Sequence, residues 1–293
     1  MKYIEKHPMA VIAVGIAGIS LSAIFVRYSV APSAVTAAWR LLWTVILMLP
    51  VVIGKADIRW EITRADKKSA LISACSGLFL AAHFILWFDS LAMTSVASAT
   101  TLVCTEVIWV SLGYCLLWRG KISAKAIATI AFTFLGSALI ALGDSGAGEG
   151  HLKGDILAVL AATCSAAYML LGRTAQKKLS TTAYTFIVYA ACALALVMAS
   201  LVQNQRLLGY GMNPVLVGFA LAVCSTLLGH TIFSWALKFF APSFVSACKL
   251  LEPVGAGLLA VFLFGEIPGA MALIGAAMIL LGVWYYAKIE QGR

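Results

Sequence analysis

Six ionisable side chains stand inside long apolar runs of this sequence: Arg40, His83, Glu106, His230, Lys249 and Glu252. A seventh, Asp89, sits close to the end of its run. At the centre of a bilayer such a group costs at least ~2.5–3.5 kcal/mol on insertion scales, so each one needs a partner or a purpose. The densest cluster is "CKLLEPVG", residues 248–255. At ~1.5 Å rise per residue, Glu252 lies about 15 Å along its run, with Lys249 one turn shallower. The i, i+3 spacing puts the two on one helix face, where they can pair. Pro253 has no N–H, so it frees the carbonyl of Lys249 and lets the helix bend. A freed carbonyl beside a mid-depth carboxylate reads as the wall of a polar cavity. The plainer alternative is that Lys249 reaches the interface and Glu252 pairs with it or with Arg40.

Glu106 has no basic residue within four positions. A carboxylate buried without a counter-ion takes up a proton readily, which suits a proton carrier. Its alternative is a static pair with Arg40, which reads as a structural ion-pair residue more than a substrate contact. His83 and Trp87 share a face at i and i+4, as do His230 and Ser234. Trp109 follows Glu106 by one turn, and Tyr168 lies within a run of its own. The expected substrate-binding set is therefore Glu106, Glu252, Lys249, His83, Trp87, Trp109, Tyr168 and His230. The sequence holds no HExxH, no paired aspartates at mid-depth and no serine in a GxSG setting, so no catalytic centre, metal site or cofactor is expected.

The elements that must position these groups follow from composition. Of 293 residues 62% are hydrophobic and 11% charged, with mean hydropathy +0.98. A soluble domain carries about 25% charged residues, and a helical span needs about 20 mostly apolar ones. Ten runs qualify: 8–27, 34–54, 69–89, 94–117, 123–142, 154–172, 181–202, 214–236, 242–264 and 269–287. They lack the strict alternation of barrel strands. The fold class is all-α integral membrane, with ten transmembrane helices. Sixteen Lys and Arg fall in the joints on one side, and only Arg27, Lys153 and Arg206 on the other. That imbalance puts both termini in the cytoplasm. It also accounts for the net charge of +9 as a topology signal and a contact with acidic lipid, so no nucleic-acid partner is expected. The seven cysteines all lie in spans and form no CxxC, which reads as small apolar filling.

A shift of 146 residues brings Arg27 onto Arg173, Glu106 onto Glu252 and Leu135-Gly136 onto Leu281-Gly282. His83 lands one residue from His230. The expectation is a duplication, with repeats at 1–145 and 146–293. Five spans is an odd number, so the second repeat crosses in the opposite sense. Inverted repeats of this kind build secondary transporters, with the solute site at mid-membrane between the halves. "GDSGAGEG", 143–150, reads as a flexible linker, since no strand precedes it.

The stretch 236–266 resembles the signature of the drug/metabolite transporter superfamily, in its ten-helix EamA type. The matching elements are Ala236-Leu237-Lys238, Leu251-Glu252-Pro253-Val254 and Phe264-Gly265-Glu266. The first half echoes them with Thr94-Ser95-Val96-Ala97-Ser98, Glu106-Val107 and Gly136-Ser137, and Arg40 also fits. No proline follows Glu106, which suggests that the fourth helices of the two halves are unequal. The resemblance implies a metabolite carrier of two inverted five-helix repeats, its cavity lined by spans 1, 3, 4, 6, 8 and 9. The expected activity is secondary active export of a small polar metabolite, an amino acid or analogue, across a bacterial plasma membrane, with proton coupling through Glu106. The alternative substrate is an organic cation or drug; a non-transporting structural or sensory protein is a third reading. The expected partners are that solute and the lipid bilayer, the chain acting as a monomer or homodimer.

Overall fold

A computed structural model describes residues 7–94, 96–143, 151–264 and 269–291 of the protein. Residues 144–150 of the expected linker, Ser95, and the Gly265-Glu266 end of the signature lie outside the described residues. The described chain is helical, with no strand. In order it forms α1 (Pro8–Ser20), α2 (Ser22–Arg27), α3 (Ser33–Gly54), α4 (Ala56–Thr63), α5 (Lys67–Met93), α6 (Val96–Val103), α7 (Glu106–Trp118), α8 (Ala124–Gly143), α9 (His151–Ala175) and α10 (Thr181–Val202). Then follow α11 (Asn213–Ala220), a π-helical stretch Leu221–His230, α12 (Thr231–Ala236), α13 (Pro242–Cys248), a 3₁₀ turn Lys249–Leu251, α14 (Glu252–Phe264) and α15 (Ala270–Gln291).

Seven helices among the described residues are long and apolar enough to cross a membrane. Of the remaining expected runs, 123–142 and 269–287 form α8 and α15, which carry the apolar stretches Ala124–Leu139 and Leu273–Ile289. The run 242–264 is interrupted at Lys249–Leu251. In hydrocarbon every backbone group must be satisfied within the chain, which is why this composition yields helices. The short α4 lies where the sequence reading placed only a polar joint.

Helix starts are fixed by their caps. Asp66 accepts a hydrogen bond from the Ser69 N–H and so caps α5, while Ser180 caps α10 through the Ala183 N–H. The Lys178 ammonium lies 2.9 Å from Asp66, and the Ser180 N–H donates to Glu61. The hydrogen bond from Lys178, followed by that from the Ser69 backbone, lowers the Asp66 carboxyl to about pKa 2.

The broadest packing joins α5 to α9, α8 to α15, and α10 to both α3 and α5, followed by α1 on the π-helical stretch and α11 on α3. Small residues permit the closest crossings. A methyl group on Gly18 of α1 would collide with the Cys224 carbonyl, and one on Gly136 of α8 would meet that of Gly275 on α15.

Candidate functional site

Glu106 and Glu252 both begin a helix. Glu106 is the first residue of α7 and Glu252 the first of α14, each just after a break in the preceding helix. In the second case Pro253 lacks the N–H that would continue the helical ladder. The Glu252 N–H instead donates to the Lys249 carbonyl, giving a 3₁₀ turn, and the Cys104 thiol also reaches that carbonyl at 3.9 Å. In the first case no proline is present, yet the chain breaks at Cys104-Thr105 as well. There the Thr105 hydroxyl donates to the Leu102 carbonyl at 2.7 Å, and its N–H donates to the same oxygen. A side-chain hydroxyl that bonds back to the preceding turn competes with the helix and bends it. The expected inequality of the two helices is thus corrected: both break before the glutamate, one through proline and one through threonine.

The breaks bring distant residues together. Lys249 Nζ lies 3.0 Å and 2.9 Å from the two carboxylate oxygens of Glu106, 143 positions away in sequence. Ser165 of α9 donates to the same carboxylate at 2.5 Å. Lys249 and Glu252, expected to pair along one face, form no ion pair. The 3₁₀ turn follows α13, and α13 packs against α7, so the carboxylate that meets the ammonium belongs to the facing helix.

Glu106 and Lys249 line a cavity with Ile19, Ser22, His83, Trp87, Val103, Cys104, His230, Ser246 and Glu252. It holds about 40 Å³, room for a few water molecules in this conformation. His83 Nδ1 lies 3.0 Å from the Ala161 carbonyl, and its ring stacks on Trp87 at 6.2 Å between centroids and 11° between planes. The His83 and His230 rings meet edge-on at 6.2 Å. His230 closes the π-helical stretch, in which the Thr226 hydroxyl bonds back five residues to Leu221. Such stretches recur at functional sites, where the wider turn re-aims side chains.

Six expected site residues therefore share one cavity: Glu106, Glu252, Lys249, His83, Trp87 and His230. Tyr168 stands behind it, packed on His230 at 6.0 Å and bonded to Ser234 at 2.7 Å. Trp109 is elsewhere, 37% exposed on the outside of α7. Glu106 sits at the edge of a buried stripe centred on Val107 and Val110, and three residues turn a helix by about 300°, which carries Trp109 past that edge. Arg40 is fully buried but forms no ion pair among the described residues. Its Nε donates to Thr226 at 2.7 Å, Nη1 reaches Ser22 at 3.4 Å, and its guanidinium lies 4.1 Å over the Phe84 ring. The reason is that α3 packs on the π-helical stretch, which supplies Thr226 before any carboxylate. Ser165, absent from the expected set, carried only the weak signal of lying one turn from Tyr168. Among the described residues no group of His, Cys, Asp and Glu could hold a metal ion.

Comparison with known proteins adds four results. Residues 152–287 match the model of the EamA-like transporter family. An uncharacterized transporter of Bacillus subtilis (strain 168), YxxF, is 26% identical over 240 residues, 81% of this chain and 76% of its own. An uncharacterized transporter of Archaeoglobus fulgidus is 32% identical over 130 residues, 44% of this chain and 46% of its own. A crystal structure superposes on 98% of each chain with a TM-score of 0.77 at 15% identity, a likeness of fold alone.

Proposed function

The chain belongs to the drug/metabolite transporter superfamily, with an EamA-like transporter domain at residues 152–287, and from that premise we propose that it is a secondary carrier whose solute site is the Glu106–Lys249–Glu252 cavity. The solute is a small polar metabolite, an amino acid or analogue, moved outward across a bacterial plasma membrane by alternating access. The observation that carries this reading is the composition of the cavity: two mid-sequence carboxylates, one ammonium and two histidines buried together among apolar helices. Buried charge of this kind is costly in a bilayer and marks solute or ion pathways.

Two inverted five-helix repeats, at 1–145 and 146–293, with both termini cytoplasmic, remain our reading of the topology. Packing supports it. If residues 1–145 and 146–293 exchange, α1 on the π-helical stretch maps onto α9 on α5, while α3 with α10 and α8 with α15 map onto themselves. The matching breaks before Glu106 and Glu252 support it as well. A π-helical turn accommodates one extra residue, which accounts for His230 lying one position beyond the partner expected for His83.

Proton coupling, where present, falls to Glu252 in this reading, since Glu106 already faces Lys249 and Ser165. A second substrate reading, efflux of organic cations, is favoured by the same fact: Lys249 is matched by Glu106, and Glu252 accepts no hydrogen bond among the described residues. Counterflow in proteoliposomes tests the proposal. Preloaded amino acids or amines should drive accumulation of the labelled solute, and an imposed proton gradient should accelerate it. Failure of every polar solute to exchange would sink the carrier reading.

A further inference from the structure

The two ends of the bundle are fastened unequally. Arg173 stands in the last turn of α9 and reaches the joint between α12 and α13. Its Nη1 donates to the Leu237 carbonyl at 3.2 Å and to the Phe240 carbonyl at 2.9 Å, and its guanidinium lies 5.6 Å over the Tyr114 ring of α7. Carbonyls at a helix end have no partner inside the helix, so a cation there is held by charge-assisted bonds. Gln176 donates to the Ser234 carbonyl at 2.9 Å, and the Tyr168 hydroxyl meets that of Ser234 at 2.7 Å. Three side chains thus fasten the end of α9 to α12 and the joint beyond it.

The repeat places the same cation at the opposite end and leaves it idle. A shift of 146 residues puts Arg173 on Arg27, Gln176 on Val30 and Tyr168 on Ser22, and it puts the α12–α13 joint at the end of α5. Arg27, the last residue of α2, is exposed and forms no hydrogen bond or ion pair among the described residues. Val30 has no side-chain donor, and Ser22 accepts from Arg40 instead. Other ties occur at both ends. Asn213 bonds the Tyr28 carbonyl and the Val30 N–H at one end, while Lys178 with Asp66 and Ser180 with Glu61 join the related joints at the other. Ties common to both ends belong to the scaffold; the arginine tie is made at one end alone.

Resting on the reading of the chain as an inverted-repeat carrier, we propose that Arg173 is a latch that holds the cytoplasmic gate shut in this conformation. Arg27 is its counterpart, engaging the carbonyls at the end of α5 only when the outer gate closes. In an inverted repeat the two access states exchange the arrangements of the halves, so a contact made by one half in one state is made by the other half in the opposite state. Each arginine therefore stabilises one state alone, and only such a differential contact shifts the equilibrium between them.

The test reads access from each side. With cavity-lining Cys104 as the sole cysteine, a membrane-impermeant maleimide is applied to right-side-out and to inverted vesicles, and the two labelling rates are compared. With both arginines in place, labelling should be faster from outside. Arg173→Met should raise the inside rate relative to the outside rate by about tenfold or more, the effect of losing charge-assisted bonds present in one state only. Arg173→Lys keeps a point charge without the planar fork and should restore part of the preference. Arg27→Met, at an exposed position, should shift the ratio the opposite way. A plain helix cap at Arg173 lowers the melting temperature and leaves the ratio unmoved, and that result would overturn the proposal. Faster labelling from inside before any substitution, or shifts of the same sign from both methionine variants, would overturn it as well. If Arg173→Met does not fold, Arg27→Met decides by whether it lowers the inside rate. Labelling from one side only ends the carrier reading, and the latch with it; labelling from both sides at a ratio that neither variant moves ends the latch alone.

Discussion

Replacing Lys249 by methionine is the most informative perturbation, because it isolates the ion pair that joins the two breaks. The side chains of Lys249 and Glu106 are 10% and 7% exposed, so water screens neither. Removing one member of a buried pair leaves an uncompensated charge and costs about 3–5 kcal/mol. Ser165 bonds to Glu106 with or without the lysine, so it does not offset that loss. Scaled as for a folded domain of comparable size, the loss corresponds to a drop in melting temperature on the order of 10 °C. The assay is thermal unfolding in detergent, followed by tryptophan fluorescence, for wild type, Lys249→Met, Glu106→Gln and the double variant. The double variant should recover most of the loss, because the uncharged pair leaves nothing unmatched. Two results would refute the reasoning: a Lys249→Met melt within about 2 °C of wild type, or strictly additive losses in the double variant.

Three other outcomes follow from the same structure. Gly18→Ala, which sets a methyl group against the Cys224 carbonyl, should destabilise the protein by about 1–3 kcal/mol; Gly54→Ala, with open space around it, should leave the melting temperature unchanged. Trp109→Ala should alter solute binding by less than about twofold in a titration, as for other exposed positions. The Asp66 tie should respond to acid: the Lys178 hydrogen bond holds its carboxyl at about 2 when folded, below its ordinary value of 3.8, so its contribution is complete above 3.8 and disappears as pH falls toward 2. Thermal melts should therefore show an acid-dependent loss below about pH 4 that Asp66→Asn lacks, and the contribution should be small, because this pair is solvent-exposed.

Much of the candidate site was legible because a charge in an apolar run has few innocent explanations. Glu106, Glu252, Lys249, His83 and His230 announced themselves that way, and Trp87 followed from its spacing to His83. Their partners were not legible. The i, i+3 rule paired Lys249 with Glu252, yet the helix is broken there and a facing helix supplies the carboxylate. The break before Glu252 was written in Pro253. The break before Glu106 rests on the Thr105 hydroxyl, and threonines are too common within spans to mark one. Trp109 failed for a related reason: proximity on a helix face was measured from Glu106, which lies at the edge of the buried stripe. The π-helical stretch left only a one-residue slip between the two histidines, and Arg40 found a threonine, a serine and a phenylalanine face where an acid was expected.

The central claim is that the cavity holding Glu252 opens alternately to the two sides of the membrane. Cys104 lines that cavity and is 5% exposed, so it serves as a built-in reporter. With the other six cysteines replaced by alanine or serine, a membrane-impermeant maleimide is applied to right-side-out and to inverted vesicles. The account predicts slow labelling of Cys104 from both sides, suppressed by a solute that binds the cavity. Labelling from one side only, or from neither while transport continues, would contradict it.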